Sequence, residues 1–237
     1  TTDMEQNLSK KTRTESDLIG SREVPESALY GVQTLRGIEN FRISKFHLNE
    51  YPLFIQALAI TKMGAAVANR ELDLLTEEQT DAILRACKEI LEGKHHEQFP
   101  VDMIQGGAGT TTNMNINEVV ANRALELMGH QRGEYQYCSP NDHVNRSQST
   151  NDAYPTAIHI GLYYTHLKLV KHFEVLIEAF RKKGSEFAHI IKMGRTQLED
   201  AVPMTLGQTF NGFASILEHE VKNLDFAAQD FLTVNMG

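Results

Sequence analysis

Apolar residues recur at helical spacing through much of the chain and predict a mainly α-helical protein. Residues 53–71 are rich in Ala, Leu and Ile, and Pro52 before them suits the first position of a helix. Thr76 and Gln79 have the spacing of a capping box, which predicts the start of a second helix. Gly93 is a natural end for that helix, because glycine readily adopts the left-handed conformation of a helix C-terminus.

Glycine, proline and polar residues between these segments indicate turns and loops. Residues 13–34 leave room for a small hairpin or loop, and residues 94–112 are expected to form a long glycine-rich loop. A third helix is predicted over residues 116–128, because Gly129 follows it. Residues 1–12 are polar and are expected to form a flexible tail.

The last third of the chain carries apolar residues at seven-residue intervals, in two series: Leu162, Leu169 and Leu176, then Phe210, Leu217, Leu224 and Phe231. Heptad spacing is typical of long helices that pack nearly parallel to their neighbours in a bundle. The first helix could extend for about 35 residues, on the order of 50 Å. Two such helices cannot cover both apolar stripes, so either other subunits complete the bundle or the chain is cut short.

The predicted fold is therefore mainly α, in two parts. Residues 1–150 form a short-helix N-terminal domain with a small hairpin or loop region. Residues 151–237 supply the first long helices of an oligomeric helical-bundle domain.

Composition excludes several classes of partner. A net charge of −8 and a pI near 5.7 argue against a nucleic-acid-binding surface. No run approaches the roughly 18 apolar residues of a membrane span, and the polar N-terminus lacks the apolar core of a secretory signal. Cys87 and Cys138 form no C-x-x-C pair. We therefore expect a cytoplasmic protein with reduced thiols and no nucleic-acid or membrane partner.

Three polar segments interrupt the helical pattern and are the candidates for chemistry: residues 105–115, 141–152 and 194–203. The first is glycine-rich but lacks the Gly-Lys-Ser/Thr of a nucleotide-binding loop, and Thr112 stands where a dinucleotide motif requires a third glycine. It leads into a predicted helix, whose free N–H groups and positive dipole end attract carboxylates. A solvated loop with ordinary helix caps explains the same residues.

The second segment places Ser149, Thr150 and Asn151 directly before the long helix, with Pro155 expected in its first turn. Capping by Asn151 or Asp152 explains one such residue but not the whole polar run, so capping and function both stay open here. In the third segment, Thr196 and Gln197 are consistent with an ordinary loop.

The histidines give little sign of a metal site. His95 and His96 are adjacent, so their side chains diverge, and no H-E-x-x-H motif or spaced Cys/His set occurs. His143 lies within the second polar segment, where a structural role is the favoured interpretation. We therefore predict no metal ligands.

Four long motifs, in order, resemble the aspartase/fumarase superfamily, and within it the aspartate ammonia-lyases most closely. They are RTESDLIGSREVPESALYGVQTLRGIENF, QFPVDMIQGGAGTTTNMNINEVVANRALELMG, NDHVNRSQSTNDAYPT and KMGRTQLEDAVPMTLGQ. The resemblance implies reversible deamination of L-aspartate to fumarate and ammonia. A base removes a C3 proton, and the charge is held as an aci-carboxylate. Neutral donors around the C4 carboxylate then stabilise charge that develops only in the transition state.

The resemblance also implies roles for individual residues. Thr110, Ser149 and Thr150 would surround the C4 carboxylate, and Asn151 would contact the amino group or help to hold the substrate. No cofactor is required for this chemistry, while activation by a divalent metal stays open. The protein is expected to be a homotetramer with composite active sites, in which the three polar segments come from different chains.

The same resemblance places Thr196 and Gln197 toward the C1 carboxylate and the amino group. Fumarases are the nearest alternative, and they are similar to one another in having His at the position of Gln197. The resemblance implies either Gln or His there in aspartases, so Gln197 favours the ammonia-lyase. Ser139 also departs from the fumarases, which have His before Pro-Asn-Asp, and this puts a secondary carboxylate site there in doubt. A non-catalytic helical oligomer is a further alternative, against which the run Ser149 to Asn151 argues.

One family motif has no counterpart in these residues. The signature loop Gly-Ser-Ser-x-x-Met-Pro-x-Lys-x-Asn-Pro supplies the serine base and a lysine that holds the C1 carboxylate, and it does not occur here. Family chains are roughly twice as long. We therefore expect these residues to be the N-terminal half of such an enzyme, with no catalytic base of their own and no activity alone.

Overall fold

A computed structural model describes residues 11–236 of the chain. Residues 1–10, which hold most of the predicted tail, and Gly237 lie outside the described residues. The chain divides into two compact units. The first unit comprises Thr1–Gly161 and Val234–Gly237, and the second unit comprises Leu162–Thr233.

The first unit begins with an antiparallel hairpin of β1 (Thr12–Asp17) and β2 (Gly20–Pro25). Its turn requires a glycine, because Gly20 has a φ of +126°. The Asp17 carboxylate accepts the Ile19 N–H within the turn at 2.9 Å. This confirms the small hairpin predicted over residues 13–34. A short helix, α1 (Val32–Asn40), follows the hairpin.

Three longer helices form the body of the first unit: α2 (Pro52–Glu71), α3 (Glu77–Leu91) and α4 (Thr110–Leu127). Pro52 is the first residue of α2, as predicted. The capping box of α3 is also confirmed, since Thr76 Oγ1 accepts the Gln79 N–H at 3.1 Å and Gln79 Oε1 accepts the Thr76 N–H at 3.2 Å. Short 3-10 turns occupy Leu48–Glu50 and His96–Gln98, and a π turn occupies Pro140–Val144.

Helix α4 begins at Thr110, six residues before the predicted start at residue 116, so that prediction is wrong. Gln105 explains the earlier start. Its Oε1 accepts the Thr112 N–H and its Nε2 donates to Thr112 Oγ1, both at 2.8 Å. A side chain from the preceding loop thus satisfies one of the N–H groups that a helix start leaves unpaired.

The hydrophobic core of the first unit lies where α2, α3 and α4 pack together. Its large, fully buried side chains include Ile55, Leu58, Ile83, Ile90, Phe99, Ile116 and Leu125. Each side chain of this size stabilises the fold by roughly 1.5–3 kcal/mol through removal from water. Both α2 and α4 pack against α3, and this core fixes the polar groups that α2 and α4 carry.

Helix α5 (Thr150–Glu186) begins in the first unit and continues from Leu162 in the second unit. The second unit also contains a hairpin of β3 (Ile191–Thr196) and β4 (Glu199–Thr205), followed by α6 (Leu206–Ala228). Helix α5 has 37 residues, which agrees with the predicted length. Residues 194–203, where the sequence is consistent with an ordinary loop, belong to the β3–β4 hairpin. Within this unit, Phe180, Phe187 and Phe210 form ring contacts with centroids 5.5–6.1 Å apart.

The heptad leucines of α5 remain accessible, with Leu162, Leu169 and Leu176 each 42–44% exposed. The mainly α-helical fold class is confirmed, and the long helices have the character of bundle helices. No helix within residues 11–236 combines the length and apolar character needed to cross a bilayer.

Candidate active site

The first two polar segments adjoin within one chain. Asn113 Nδ2 on α4 lies 3.4 Å from Thr150 Oγ1 at the start of α5. The ring of Tyr154 packs against Gly109, where a side chain would clash with it and where φ is +87°. Gly109 is therefore a glycine because the loop approaches α5 closely. These contacts bring the first two polar segments together within one chain.

Ser149 is the N-terminal cap of α5. Its Oγ accepts the Asp152 N–H at 3.2 Å, and the Asp152 carboxylate accepts the Ser149 N–H at 2.9 Å. This reciprocal pair is a capping box, so the prediction that Asn151 or Asp152 caps the helix is wrong. Because α5 starts at Thr150, Pro155 lies in its second turn rather than its first.

Thr110, Thr150 and Asn151 occupy first-turn positions of two helices. Thr110 is exposed at the start of α4, and its hydroxyl donates to the Gly107 carbonyl oxygen at 2.5 Å. Thr150 is half-buried and Asn151 is exposed at the start of α5. The hydroxyl and amide groups here are neutral hydrogen-bond donors at helix N-termini, where a carboxylate is favoured.

A buried lysine lies behind Thr150. Lys62 in α2 has no exposed surface, and its Nζ donates to Asn113 Oδ1 at 2.8 Å and to Asn145 Oδ1 and Gln148 Oε1 at 3.0 Å. Burial lowers the pKa of Lys62 to about 7. Sequence reasoning missed this residue, although a signal was present. Lys62 is the single charged residue in residues 53–69, inside an apolar helical run.

Thr196 and Gln197 lie in the second unit. Thr196 ends β3, and Gln197 begins the turn of the hairpin; both are exposed. Gln197 and Leu198 have φ values of +50° and +70°. A two-residue turn with positive φ at both positions fits the twist of a hairpin, but it normally uses glycine or asparagine. The strained backbone holds the Gln197 amide at the tip of the hairpin.

Backbone strain is concentrated in the three polar segments. Six non-glycine residues among those described have positive φ, and four of them lie in these segments: Ala108, Ser147, Gln197 and Leu198. Such conformations cost about 1–3 kcal/mol each and cluster at functional sites. The strain supports a functional interpretation that the sequence alone left open.

His143 and Ser139 support each other structurally. The Ser139 N–H donates to His143 Nδ1 at 2.7 Å, and Ser139 Oγ accepts the N–H groups of Asn141 and Asp142. Burial lowers the pKa of His143, which favours the neutral ring that this acceptor role requires. The structure thus gives His143 a structural role in the π turn.

The remaining candidates for metal or thiol chemistry have ordinary surroundings. His95 Nε2 contacts the Glu89 carboxylate at 2.9 Å, and His96 Nε2 contacts the Ile90 carbonyl oxygen. Cys87 and Cys138 are both free thiols, and both are buried. Within the part of the chain that the structure describes, no group of three or more His, Cys, Asp or Glu side chains could hold a metal ion.

Comparison with known proteins places this geometry in a family. The family model described as Lyase matches residues 20–237. The chain belongs to this lyase family. It is 57% identical over 226 residues to an aspartate ammonia-lyase of Pseudomonas canavaninivorans, covering 95% of this chain and 48% of that protein. It is 54% identical over 231 residues to the aspartate ammonia-lyase of Escherichia coli K12, covering 97% of this chain and 48% of that protein.

Solved structures of the lyase family agree with the fold. A fumarate lyase:delta crystallin from Brucella melitensis is 51% identical with a TM-score of 0.94, over 96% of this chain and 49% of that one. A class II fumarase from Schistosoma mansoni is 35% identical with a TM-score of 0.87, over 96% of this chain and 48% of that one. The chain spans about half the length of the curated relatives it matches.

Proposed function

We propose that these residues are part of an aspartate ammonia-lyase, a carbon–nitrogen lyase that converts L-aspartate reversibly to fumarate and ammonia. The observation that carries this proposal is that the chain has a higher sequence identity to an aspartate ammonia-lyase than to a class II fumarase. Identity is 57% to an aspartate ammonia-lyase but 35% to a class II fumarase, over nearly the same share of the chain. A lyase that releases ammonia rather than water is therefore the better-supported assignment.

In the proposed reaction a base takes the C3 proton of aspartate, and the electron pair of the C–H bond is delocalised onto the C4 carboxylate. That carboxylate becomes an aci-carboxylate dianion. The pair then forms the C2=C3 double bond of fumarate, while the C–N bond breaks and its electrons leave with ammonia. The added charge on C4 is the feature that the enzyme must stabilise.

Thr110, Ser149 and Thr150 are proposed to surround the C4 carboxylate. Their support is that they begin two helices of one unit, joined through the Asn113–Thr150 contact. Hydroxyl donors at helix N-termini bind a dianion more strongly than a monoanion, so they favour the transition state over the substrate. Asn151, also at the start of α5, is proposed to contact the amino group.

Thr196 and Gln197 are proposed to lie toward the C1 carboxylate and the amino group. Gln197 is a neutral amide where fumarases have an imidazole, and it is held at a strained turn. This difference supports ammonia rather than water as the leaving group.

The remaining parts of the site are proposed to come from elsewhere in the protein. No residue of this chain is assigned as the base, which is expected to be a serine of the family's signature loop. We propose a homotetramer with composite sites, and the exposed leucines of α5 support association. The chemistry is proposed to need no cofactor. Two free, buried thiols support a cytoplasmic location.

The test is a substrate comparison on the full-length protein that contains these residues. Fumarate absorbance is followed with aspartate, with malate, and with neither. Formation from aspartate at a higher kcat/KM than from malate is expected. Preference for malate would replace the assignment with a fumarase, and turnover of neither would favour a non-catalytic oligomer. The polypeptide of residues 1–237 serves as the control and is expected to be inactive, because the proposed base is outside it.

A further inference from the structure

We propose that Lys62 is a positioning residue that fixes the direction of the Asn113 amide, so that the Thr150 hydroxyl keeps its proton for a substrate carboxylate. This inference rests on the proposed function. It depends on three features of the described residues: the burial of Lys62, the three acceptors around it, and the contact between Asn113 and Thr150.

The Lys62 ammonium is fully used by its neighbours. An ammonium has three N–H donors and no acceptor. Nζ donates to Asn113, Asn145 and Gln148, at 2.8, 3.0 and 3.0 Å, and each partner offers an amide oxygen. No donor is left to reach a substrate, and the side chain has no exposed surface. Lys62 can therefore act only through the amides that it holds.

A donor-only group determines which way an amide points. The oxygen and nitrogen of an asparagine side chain have nearly the same shape, and the hydrogen-bond partners decide between the two orientations. In its ammonium form Nζ can only donate, so Asn113 turns Oδ1 toward Lys62. Its Nδ2 then faces Asn145 Oδ1 at 3.1 Å and Thr150 Oγ1 at 3.4 Å.

The orientation of Asn113 decides what the Thr150 hydroxyl can do. A hydroxyl has one proton to donate and lone pairs that accept. With Nδ2 facing it, Thr150 Oγ1 accepts, and its proton stays available for another acceptor. If Asn113 were reversed, Oδ1 would accept the Thr150 proton, and the donor proposed to stabilise the aci-carboxylate would be lost. Lys62 is thus two hydrogen bonds away from the Thr150 hydroxyl, and that hydroxyl makes the third bond, to the substrate.

A purely structural role for Lys62 is the competing explanation. The same three bonds join α2 to α4 and to the turn before α5, so losing them would also lower stability. The two roles differ in one respect. If Lys62 acts through the Thr150 hydroxyl, its loss has no further effect on catalysis once that hydroxyl is gone. If it acts only on the fold, its effect persists without the hydroxyl.

The experiment is a double-mutant cycle in the full-length enzyme, with kcat and KM measured for aspartate. Lys62→Met keeps an unbranched stem and removes the ammonium, and Thr150→Val keeps the shape and removes the hydroxyl. We expect Lys62→Met to lower kcat/KM at least tenfold, mostly through kcat. In the Thr150→Val background we expect it to change kcat/KM by less than about twofold.

Asn113→Asp is the second variant, in case Lys62→Met does not fold. It keeps an acceptor for Lys62 and the shape of the side chain, but it places an oxygen where Nδ2 faced Thr150. The carboxylate would take the Thr150 proton, so a loss of at least tenfold is expected, and again none beyond twofold in the Thr150→Val background. Asn115→Ala is the matched control, since Asn115 is buried on the same helix but donates to the Gln98 carbonyl oxygen. Its loss should lower the melting temperature without coupling to Thr150.

The outcomes separate the two proposals. Equal effects of Asn113→Asp in the wild-type and Thr150→Val backgrounds would overturn the role of Lys62 while leaving the aspartate ammonia-lyase assignment intact. Wild-type preference for malate would overturn that assignment, and the same cycle measured with malate would then decide the role of Lys62. A wild-type protein that turns over neither substrate would overturn both.

Discussion

The two units of this chain differ in how completely their long helices are packed within the unit. The first unit buries charged groups such as Lys62 and Glu118 completely and gives each of them several hydrogen-bond partners. The second unit leaves large apolar groups in water, with Leu176 43% exposed and Phe226 82% exposed. A buried polar group needs a fixed partner, whereas an exposed apolar group needs a cover.

This contrast indicates a division of roles. The first unit has a core of its own, and its buried polar groups hold the two helix starts that carry Thr110 and Thr150. The second unit is two helices and a hairpin whose apolar stripes are only partly covered within the unit. The first unit is suited to position donors, and the second to associate with other helices.

The largest effect is expected at Thr150. Thr150→Val in the full-length enzyme should lower kcat/KM for aspartate by one to three orders of magnitude, because one lost donor to a developing oxyanion costs up to about 3–4 kcal/mol. Thr156→Val is the matched control on the same helix, since Thr156 Oγ1 is buried and has no hydrogen-bond partner among residues 11–236. Activity of Thr150→Val within twofold of the wild type would remove Thr150 from the site.

Glu118 should make the next largest contribution, to stability rather than activity. Its carboxylate accepts the N–H groups of Gly31, Gln33 and Thr34 at 2.8–3.0 Å, at the start of α1. Glu118→Ala leaves these donors without an acceptor and should lower the free energy of unfolding by about 3 kcal/mol or more. Urea unfolding measures this, and Glu39→Ala on the exposed face of α1 should change it by less than about 0.5 kcal/mol.

The same carboxylate should make stability depend on pH. Burial raises the pKa of Glu118 to about 7 from an ordinary value of 4.5. The folded chain therefore holds this proton more tightly than the unfolded chain. The resulting stability is complete below about pH 4.5 and is lost as the pH rises to about 7, by roughly 3 kcal/mol in all. Glu118→Gln, which does not titrate, should abolish this slope in urea unfolding; an unchanged slope would assign it to other groups.

The exposed leucines of the second unit should govern association. Leu169→Lys with Leu176→Lys should weaken self-association of the full-length protein by at least about 2 kcal/mol, because burial of one leucine gives about 1.5–3 kcal/mol. Light scattering over a dilution series detects the smaller species. Lys168→Ala, next to the stripe, is the control. A mass that the two leucine substitutions leave unchanged would mean that this stripe is not an interface.

The smallest effect is expected from an exposed ion pair of the second unit. Arg181 Nη2 lies 2.8 Å from Glu218 Oε2, and the two side chains are 35% and 44% exposed. Solvent screens such a pair, so Arg181→Met should change the free energy of unfolding by less than about 1 kcal/mol. If Arg181→Met lowered the free energy of unfolding as much as Glu118→Ala, the two units would not differ in how their charged groups contribute to stability.

Local patterns were enough to predict much of the fold. Pro52 and the Thr76–Gln79 capping box mark the starts of α2 and α3, and the seven-residue apolar repeat indicates that α5 is long. These features involve residues within a few positions of one another, so their physics can be read along the sequence. The position of the three polar segments was also evident from their composition. Their reaction was inferred from the family resemblance, because the spacing of their residues does not identify one.

Only tertiary structure decided which polar residues meet. Gln105 starts α4 earlier than its apolar pattern indicates, and the hairpin of β3 and β4 replaces an expected loop. The Lys62 contacts join residues 51, 83 and 86 positions apart, and no local rule anticipates them. A buried ammonium needs acceptors from wherever the core brings them, because burial without partners is too unfavourable. The sequence determined the helices and the polar segments, and packing of the core decided which amide faces Thr150.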